Sequence, residues 1–294
     1  MKLAAIDIGS NAIRFQVTHV MTYEGQHYFK RLEYVRFPLR LGQDVFKLKK
    51  IGEKSEDKFI RLMNAFKLLI DLYEVDQYYA CATSAMREAA NGREITKKVK
   101  ELLGLKINII SGEREAELIN RVVMEKLGKG TFLHVDVGGG STEFTVFAEG
   151  RVIESKSFKL GTVRVLNDMM GESIWKDVKK WIEKHTKKYE KVSLIGSGGN
   201  INSIYKASGK KIGKPLSYFF LSDYYEKLKS YTYHERIYEL QMNADRADVI
   251  IPATRIYLSA MKWSKSKNIY VPKIGLSDGI IKYLYNQKFK HTGL

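Results

Sequence analysis

Asp136-Val137-Gly138-Gly139-Gly140-Ser141-Thr142-Glu143-Phe144 is the stretch on which the reading of this chain turns. The apolar run Phe132-Leu133-His134-Val135 precedes it, and the alternation continues through Thr145-Val146-Phe147. The pattern predicts a strand, a glycine turn and a second strand. Residues without side chains let backbone N–H groups come close to an oxyanion, and flanking carboxylates suit a hydrated divalent cation. The same letters also describe a tight structural hairpin, so the stretch needs support from elsewhere.

That support comes from a repeat. Leu3-Ala4-Ala5-Ile6 leads to Asp7-Ile8-Gly9-Ser10-Asn11, and an alternating run follows at Ile13, Phe15 and Val17. Asp7-Ile8-Gly9 parallels Asp136-Val137-Gly138, and Leu41-Gly42 parallels Leu160-Gly161. Between the repeats, helical spacing runs from Ser55 to Tyr73, with Ser55-Glu56-Asp57 as its expected start. A strand over Gln77–Ala82 delivers Thr83-Ser84-Ala85-Met86-Arg87. A helix from Asn91-Gly92 through Lys100, a strand Ile107–Ile110 and a helix from Ser111-Gly112 through Leu127 complete the first half. In the second half a helix over Trp175–Tyr189 and a strand Val192–Ile195 lead into Gly196-Ser197-Gly198-Gly199-Asn200. Duplication at this length predicts two similar α/β halves with Asp-x-Gly turns facing one cleft, where ligands of open α/β sheets bind.

Bulk composition narrows the class. Of 294 residues, 44% are hydrophobic and 4 are proline, which describes a globular chain long enough for two domains. Lys and Arg number 50 against 33 Asp and Glu, a net charge of +17 that favours polyanionic ligands. The lysine clusters fall largely on helical segments, where a solvated face explains any one of them. A single cysteine, Cys81, excludes an intrachain disulfide and fits a reducing compartment. Asp7 comes too early for a secretory signal, and no apolar run nears the roughly 18 residues of a membrane span. The expectation is a cytoplasmic protein without membrane contact. The six histidines lack zinc-site spacing, and neither a P-loop motif nor a Gly-x-Ser-x-Gly elbow occurs.

Seven ordered segments resemble the exopolyphosphatase/guanosine pentaphosphate phosphatase (Ppx/GppA) family, within the superfamily of actin, Hsp70 chaperones and sugar kinases. They are Asp7–Asn11, Ala82–Arg87, Ile110-Ser111-Gly112 with Glu115-Ala116, Asp136–Phe144, Gly196–Asn200, Arg246-Ala247-Asp248 with Ile251-Pro252, and Gly275–Gly279. The resemblance implies a duplicated ribonuclease H-like (actin-like ATPase) α/β fold: residues 1–125 with a C-terminal helix at about 279–294, and residues 126–278. It implies Mg²⁺-dependent hydrolysis of the terminal phosphoanhydride of inorganic polyphosphate in the interdomain cleft. Conversion of pppGpp to ppGpp is the close alternative, and a non-catalytic polyphosphate or alarmone sensor is another. The chain looks like the short two-domain form, lacking a C-terminal HD-like helical domain. A homodimer is also implied; nucleic acid is not an expected partner.

Carried over residue by residue, Glu115 is the catalytic base that activates water. A helix-capping carboxylate is its other reading. Asp7, Asp136 and Glu143 are the expected Mg²⁺ ligands, partly through water. Gly9, Ser10, Asn11, Gly138, Gly139, Gly140 and Ser141 supply phosphate donors, and Arg87 the cationic clamp or a surface ion pair. Gly196, Ser197, Gly198, Gly199 and Asn200 either line the cleft for a nucleotide or allow close strand–helix packing. Arg246–Asp248 reads equally as a structural ion pair. Two positions depart from the family pattern: Arg114, where an acid is usual, and Ala12, where serine is common.

Overall fold

The computed structural model describes residues 1–169 and 171–289. The chain divides into two compact units: residues 1–122 joined by the segment from Leu276 onward, and Val123–Gly275.

The first unit begins with β1 (Lys2–Ile8), β2 (Ile13–Tyr23) and β3 (Gln26–Phe37), then α1 (Leu41–Leu48) and α2 (Glu53–Leu72). It continues through β4 (Gln77–Ala82), α3 (Ser84–Glu88), α4 (Gly92–Leu103), β5 (Ile107–Ile109) and α5 (Gly112–Lys126). The strands lie in the order β3-β2-β1-β4-β5. β1 is antiparallel to β2 and parallel to β4. Its run Leu3-Ala4-Ala5-Ile6 is wholly buried, as a central strand covered on both faces must be. α2 places Phe59, Met63, Phe66 and Ile70 on one buried stripe, with Phe66 stacked on Phe15 at 4.9 Å. Burial of each such side chain contributes about 1.5–3 kcal/mol.

The second unit holds β6 (Thr131–Val137), β7 (Thr142–Ala148), β8 (Arg151–Phe158), α6 (Thr162–Leu166) and α7 (Glu172–Thr186). Next come β9 (Val192–Ser197), α8 (Gly199–Ala207), β10 (Leu216–Ser217), α9 (Tyr218–Ser230) and α10 (Tyr233–Tyr238). α11 (Ala244–Ala247), α12 (Ile250–Trp263) and β11 (Asn268–Tyr270) complete it. Its sheet runs β10-β11-β9-β6-β7-β8. With β10 set aside, this repeats the first sheet: β6–β7–β8 is an antiparallel meander, and β9 and β11 add in parallel on the other side of β6. The helix α13 (Leu276–Phe289) belongs to the first unit. The duplication and mixed α/β class expected from the sequence are therefore present in strand order and direction.

Several boundaries differ from expectation. α2 starts at Glu53, because extended Gly52 is its N-cap and donates its N–H to Asp44 at 3.1 Å. α4 runs past Lys100 to Leu103, where Gly104 takes a left-handed conformation at φ 66°. The helix expected over Trp175–Tyr189 is shifted, starting after extended Gly171 and ending at Thr186. The C-terminal helix starts at Leu276, and its expected continuation over 290–294 lies outside the described residues. Among the described residues, no helix is long and apolar enough to cross a membrane.

Candidate functional site

In the second unit β6 delivers Asp136 into the triple-glycine turn. Gly138 N–H closes that turn onto the Ser141 carbonyl at 2.9 Å. All three glycine carbonyls are then held from the start of α6. Thr162 N–H donates to Gly138 at 3.0 Å, Val163 N–H to Gly139 at 2.9 Å, and the Arg164 Nε–H to Gly140 at 2.7 Å. In a trans peptide the N–H of the next residue points opposite the carbonyl. Fixing these carbonyls therefore turns the N–H groups of Gly139, Gly140 and Ser141 away from α6, the arrangement of an anion nest. Gly161 makes the contact possible, since a Cβ there would lie 2.3 Å from the Gly139 oxygen.

Asp136 is the register partner of Glu143 across β6–β7, so both carboxylates stand on one face of the sheet. Glu143 is 1% exposed and its Oε1 accepts from Ser141 Oγ at 2.8 Å and Ser157 Oγ at 2.7 Å. Asp136 Oδ1 accepts from Ser197 Oγ at 2.5 Å. The opposite face carries Leu133, Val135, Phe144 and Val146 into the apolar core.

In the first unit the Asp7 turn has the same closure. Gly9 N–H donates to the Ala12 carbonyl at 3.2 Å, Gly42 N–H to Ser10 at 2.8 Å and Arg40 N–H to Asn11 at 3.1 Å. The N–H groups of Asn11 and Ala12 are turned outward by the same logic. Ser10 Oγ is spoken for by Ser84 Oγ at 2.8 Å. Asp7, 4% exposed, pairs in register with Arg14, whose Nη1 lies 2.6 Å from Asp7 Oδ2. Nothing local in the sequence singles out Arg14.

Glu115 sits half-buried in the first turn of α5. Ser111 and Glu113 both take part in the cap at that end. Ser111 Oγ accepts from Arg114 N–H at 3.2 Å. Glu113, held by its own backbone N–H, the Ser111 hydroxyl and the Arg87 charge, has its carboxyl below the usual range. Burial first, then the Asp7 and Glu115 carboxylates, push the Cys81 thiol far up. Cys81, buried, is the β4 register partner of Asp7. Arg114 is committed elsewhere, at 2.5 Å from Glu117 and over the Tyr283 ring at 4.7 Å. Arg87 donates to the Ile110 carbonyl at 2.6 Å and lines a pocket of about 380 Å³ with Arg93 and Ser111.

The Gly196–Asn200 segment ends β9 and opens α8. A Cβ on Gly196 would lie 2.7 Å from Ile269 Cδ1, which is close packing. Gly198 has φ 104° and lets the backbone pass 3.1 Å from the Val137 oxygen, measured to an added Cβ. Ser197 reaches Asp136, as above. Gly199 lies against the Arg246 guanidinium, and Asn200 is half-buried in the first turn of α8. Asp248 acts electrostatically on Arg236.

Among the described residues, no three His, Cys, Asp or Glu side chains form a group able to hold a metal. The Asp136–Glu143 pair with its serine hydroxyls is an all-oxygen set, and this fits Mg²⁺, which keeps several waters and takes one or two carboxylates plus phosphate oxygens. Asp7, bridged to Arg14, offers less negative charge to such an ion.

The profile of the Ppx/GppA phosphatase family matches residues 20–287. A bifunctional 3-dehydroquinate synthase/phosphatase of Fusobacterium nucleatum is 31% identical over 215 residues, 67% of this chain and 32% of that protein. Exopolyphosphatase 1 of Mycobacterium bovis is 27% identical over 172 residues, 58% of this chain and 49% of that protein. The chain thus spans a third to a half of the length of these relatives. The crystal structure of the Ppx/GppA family member of Aquifex aeolicus superposes with a TM-score of 0.78 at 26% identity, covering 98% of this chain and 99% of that one. With the duplicated sheets and both Asp-x-Gly turns in place, the chain belongs to the Ppx/GppA phosphatase family.

Proposed function

We propose that this protein is an exopolyphosphatase that hydrolyses the terminal phosphoanhydride of inorganic polyphosphate and releases phosphate. The observation that carries the reading is the triple-glycine turn with its three carbonyls held by residues 162–164. Such a turn presents fixed N–H donors to non-bridging phosphate oxygens without reorganisation, which is the main demand of phosphoryl transfer. The net charge of +17 steers a polyanion with one negative charge per phosphate. The name of the mycobacterial relative supports polyphosphate as the substrate.

Asp136 and Glu143 are the residues that would hold Mg²⁺. When bound, the ion neutralises charge on the phosphate oxygens. Glu115 orients the attacking water and accepts its proton, and Ser141 and the N–H groups of Gly139 and Gly140 bind the phosphate. Arg87, fixed by the Ile110 carbonyl, adds a positive charge near the start of α5.

The test is Mg²⁺-dependent phosphate release from polyphosphate by the wild type and by Glu115→Gln. Loss of about 100-fold or more in kcat is expected for the variant. No release by the wild type sinks the assignment. Full activity in the variant removes Glu115 as base. Running pppGpp in parallel separates the family's two substrates.

A further inference from the structure

His134 has no part in the reading above, yet it lies 1% exposed on the same sheet face as Asp136, two residues earlier on β6. Its Nε2 is 2.8 Å from Ser197 Oγ, and Ser197 Oγ is 2.5 Å from Asp136 Oδ1. Ser197 is the β9 register partner of Asp136, so the strand pairing itself aligns this chain of groups.

The hydrogens along it are determined by counting. A hydroxyl has one hydrogen, and an ionised carboxylate only accepts. The Ser197 O–H therefore donates to Asp136, and the Ser197 lone pair must receive its bond from His134 Nε2–H. That tautomer leaves Nδ1 as a bare acceptor. Nδ1 is buried and has no hydrogen-bond partner among the described residues. A hydrogen on Nδ1 would add a buried donor without an acceptor, and in the imidazolium it would carry charge as well. The Ser197 backbone is fixed too, its carbonyl accepting from Tyr257 OH at 2.5 Å.

We propose that His134 is a positioning residue: as the Nε2–H tautomer it fixes the Ser197 hydroxyl hydrogen on Asp136 Oδ1, and thereby holds the Asp136 carboxylate in one rotamer for the cation and its phosphate. It acts through Ser197 and touches no substrate. The step from carboxylate to cation rests on the proposed function, whereas the hydrogen-bond chain does not. Outer hydrogen bonds of this kind commonly change metal affinity by tenfold or more when removed.

Two measurements test it. Imidazole ¹⁵N NMR of the whole protein at neutral pH is expected to show one ring with protonated Nε2 and bare Nδ1. A protonated Nδ1 overturns the proposal. Mg²⁺ affinity by calorimetry is expected to fall about 10-fold in His134→Leu and in Ser197→Ala. His134→Gln, whose amide can place an N–H at the Nε2 position, is expected to recover most of it. Equal affinity of His134→Leu and wild type, no recovery in His134→Gln when both fold, or no Mg²⁺ binding by wild type each overturns it. Should the wild type bind Mg²⁺ with the expected variant order but release no phosphate, the function fails and the positioning role stands. Should it release phosphate with His134→Leu unchanged in activity and Mg²⁺ affinity, the reverse holds.

Discussion

Arg14 stands seven residues after Asp7, and Glu143 stands seven residues after Asp136. Both are the register partners of their aspartates across the first two strands of a unit. One duplicated frame thus presents a carboxylate beside a guanidinium in the first unit and a carboxylate beside a carboxylate in the second. The difference extends to the turns. Ser141 gives its hydroxyl hydrogen to Glu143, whereas the first unit has Ala12 at that place and no carboxylate opposite to receive one. An aspartate already neutralised by an arginine has little left to offer a cation. Two adjacent carboxylates invite one, because like charges at that spacing repel until a cation sits beside them. Under the proposed function the duplicated turn is a divided one, with cation binding expected in the second unit.

The largest effect should separate the two aspartates. Asp136→Asn is expected to lower Mg²⁺-dependent phosphate release on the order of 10³-fold, with a raised Mg²⁺ requirement. Asp7→Asn should lose less and leave the Mg²⁺ dependence near that of wild type. A titration of rate against Mg²⁺ for both variants decides it, and the reverse order breaks the comparison.

Next come the glycines that support each turn. An added methyl at Gly161 meets backbone, 2.3 Å from the Gly139 oxygen, while one at Gly42 first meets the edge of the Phe46 ring at 2.8 Å. Urea unfolding should show Gly161→Ala costing about 3 kcal/mol and Gly42→Ala distinctly less, since a ring can shift and a packed turn cannot. Arg14→Ala should cost about 1–3 kcal/mol in the same assay, because Asp7 is left buried without its ion pair. A stability equal to wild type would show that Asp7 does not depend on Arg14.

The smallest effect concerns the start of α5. The Glu113 carboxyl is held below the usual carboxylate range, chiefly by its own backbone N–H and by Ser111. A depressed folded-state value means that its contribution is complete above the unfolded pKa and is lost as pH falls through the folded one. Glu113→Gln should therefore flatten the acid limb of stability below about pH 4.5 and change little at neutral pH. An unchanged acid limb would remove Glu113 from the cap and return that role to Glu115.

The turns themselves were legible in the sequence because glycine and carboxylate at a strand end are local signals. Their partners were not. Arg14, His134, Ser157 and Tyr257 reach the turns through strand register or a distant helix, and nothing adjacent in sequence marks them. Aligning the two repeats at the aspartates would have exposed Arg14 against Glu143. α1 and α3 escaped notice because eight- and five-residue helices carry too few periodic positions. Between α8 and α12 the same holds for β10, α10 and α11, of two, six and four residues. Packing was one of two readings open for Gly196, and its neighbours in sequence cannot decide between them, since the side chain that demands the glycine, Ile269, comes 73 residues later on β11.

Gly279 shows how α13 bears on Glu115. A Cβ there would fall 2.3 Å from the Leu118 oxygen, so α13 lies backbone against backbone on α5, the helix that carries Glu115. α13 also packs on β1, β2 and β4. During vectorial synthesis, Val123–Gly275 is complete before Leu276 is even made. The second unit is one continuous stretch of chain, whereas the first needs residues from both sides of it. Removing α13 would therefore loosen the seat of α5 while leaving the chain of the second unit whole.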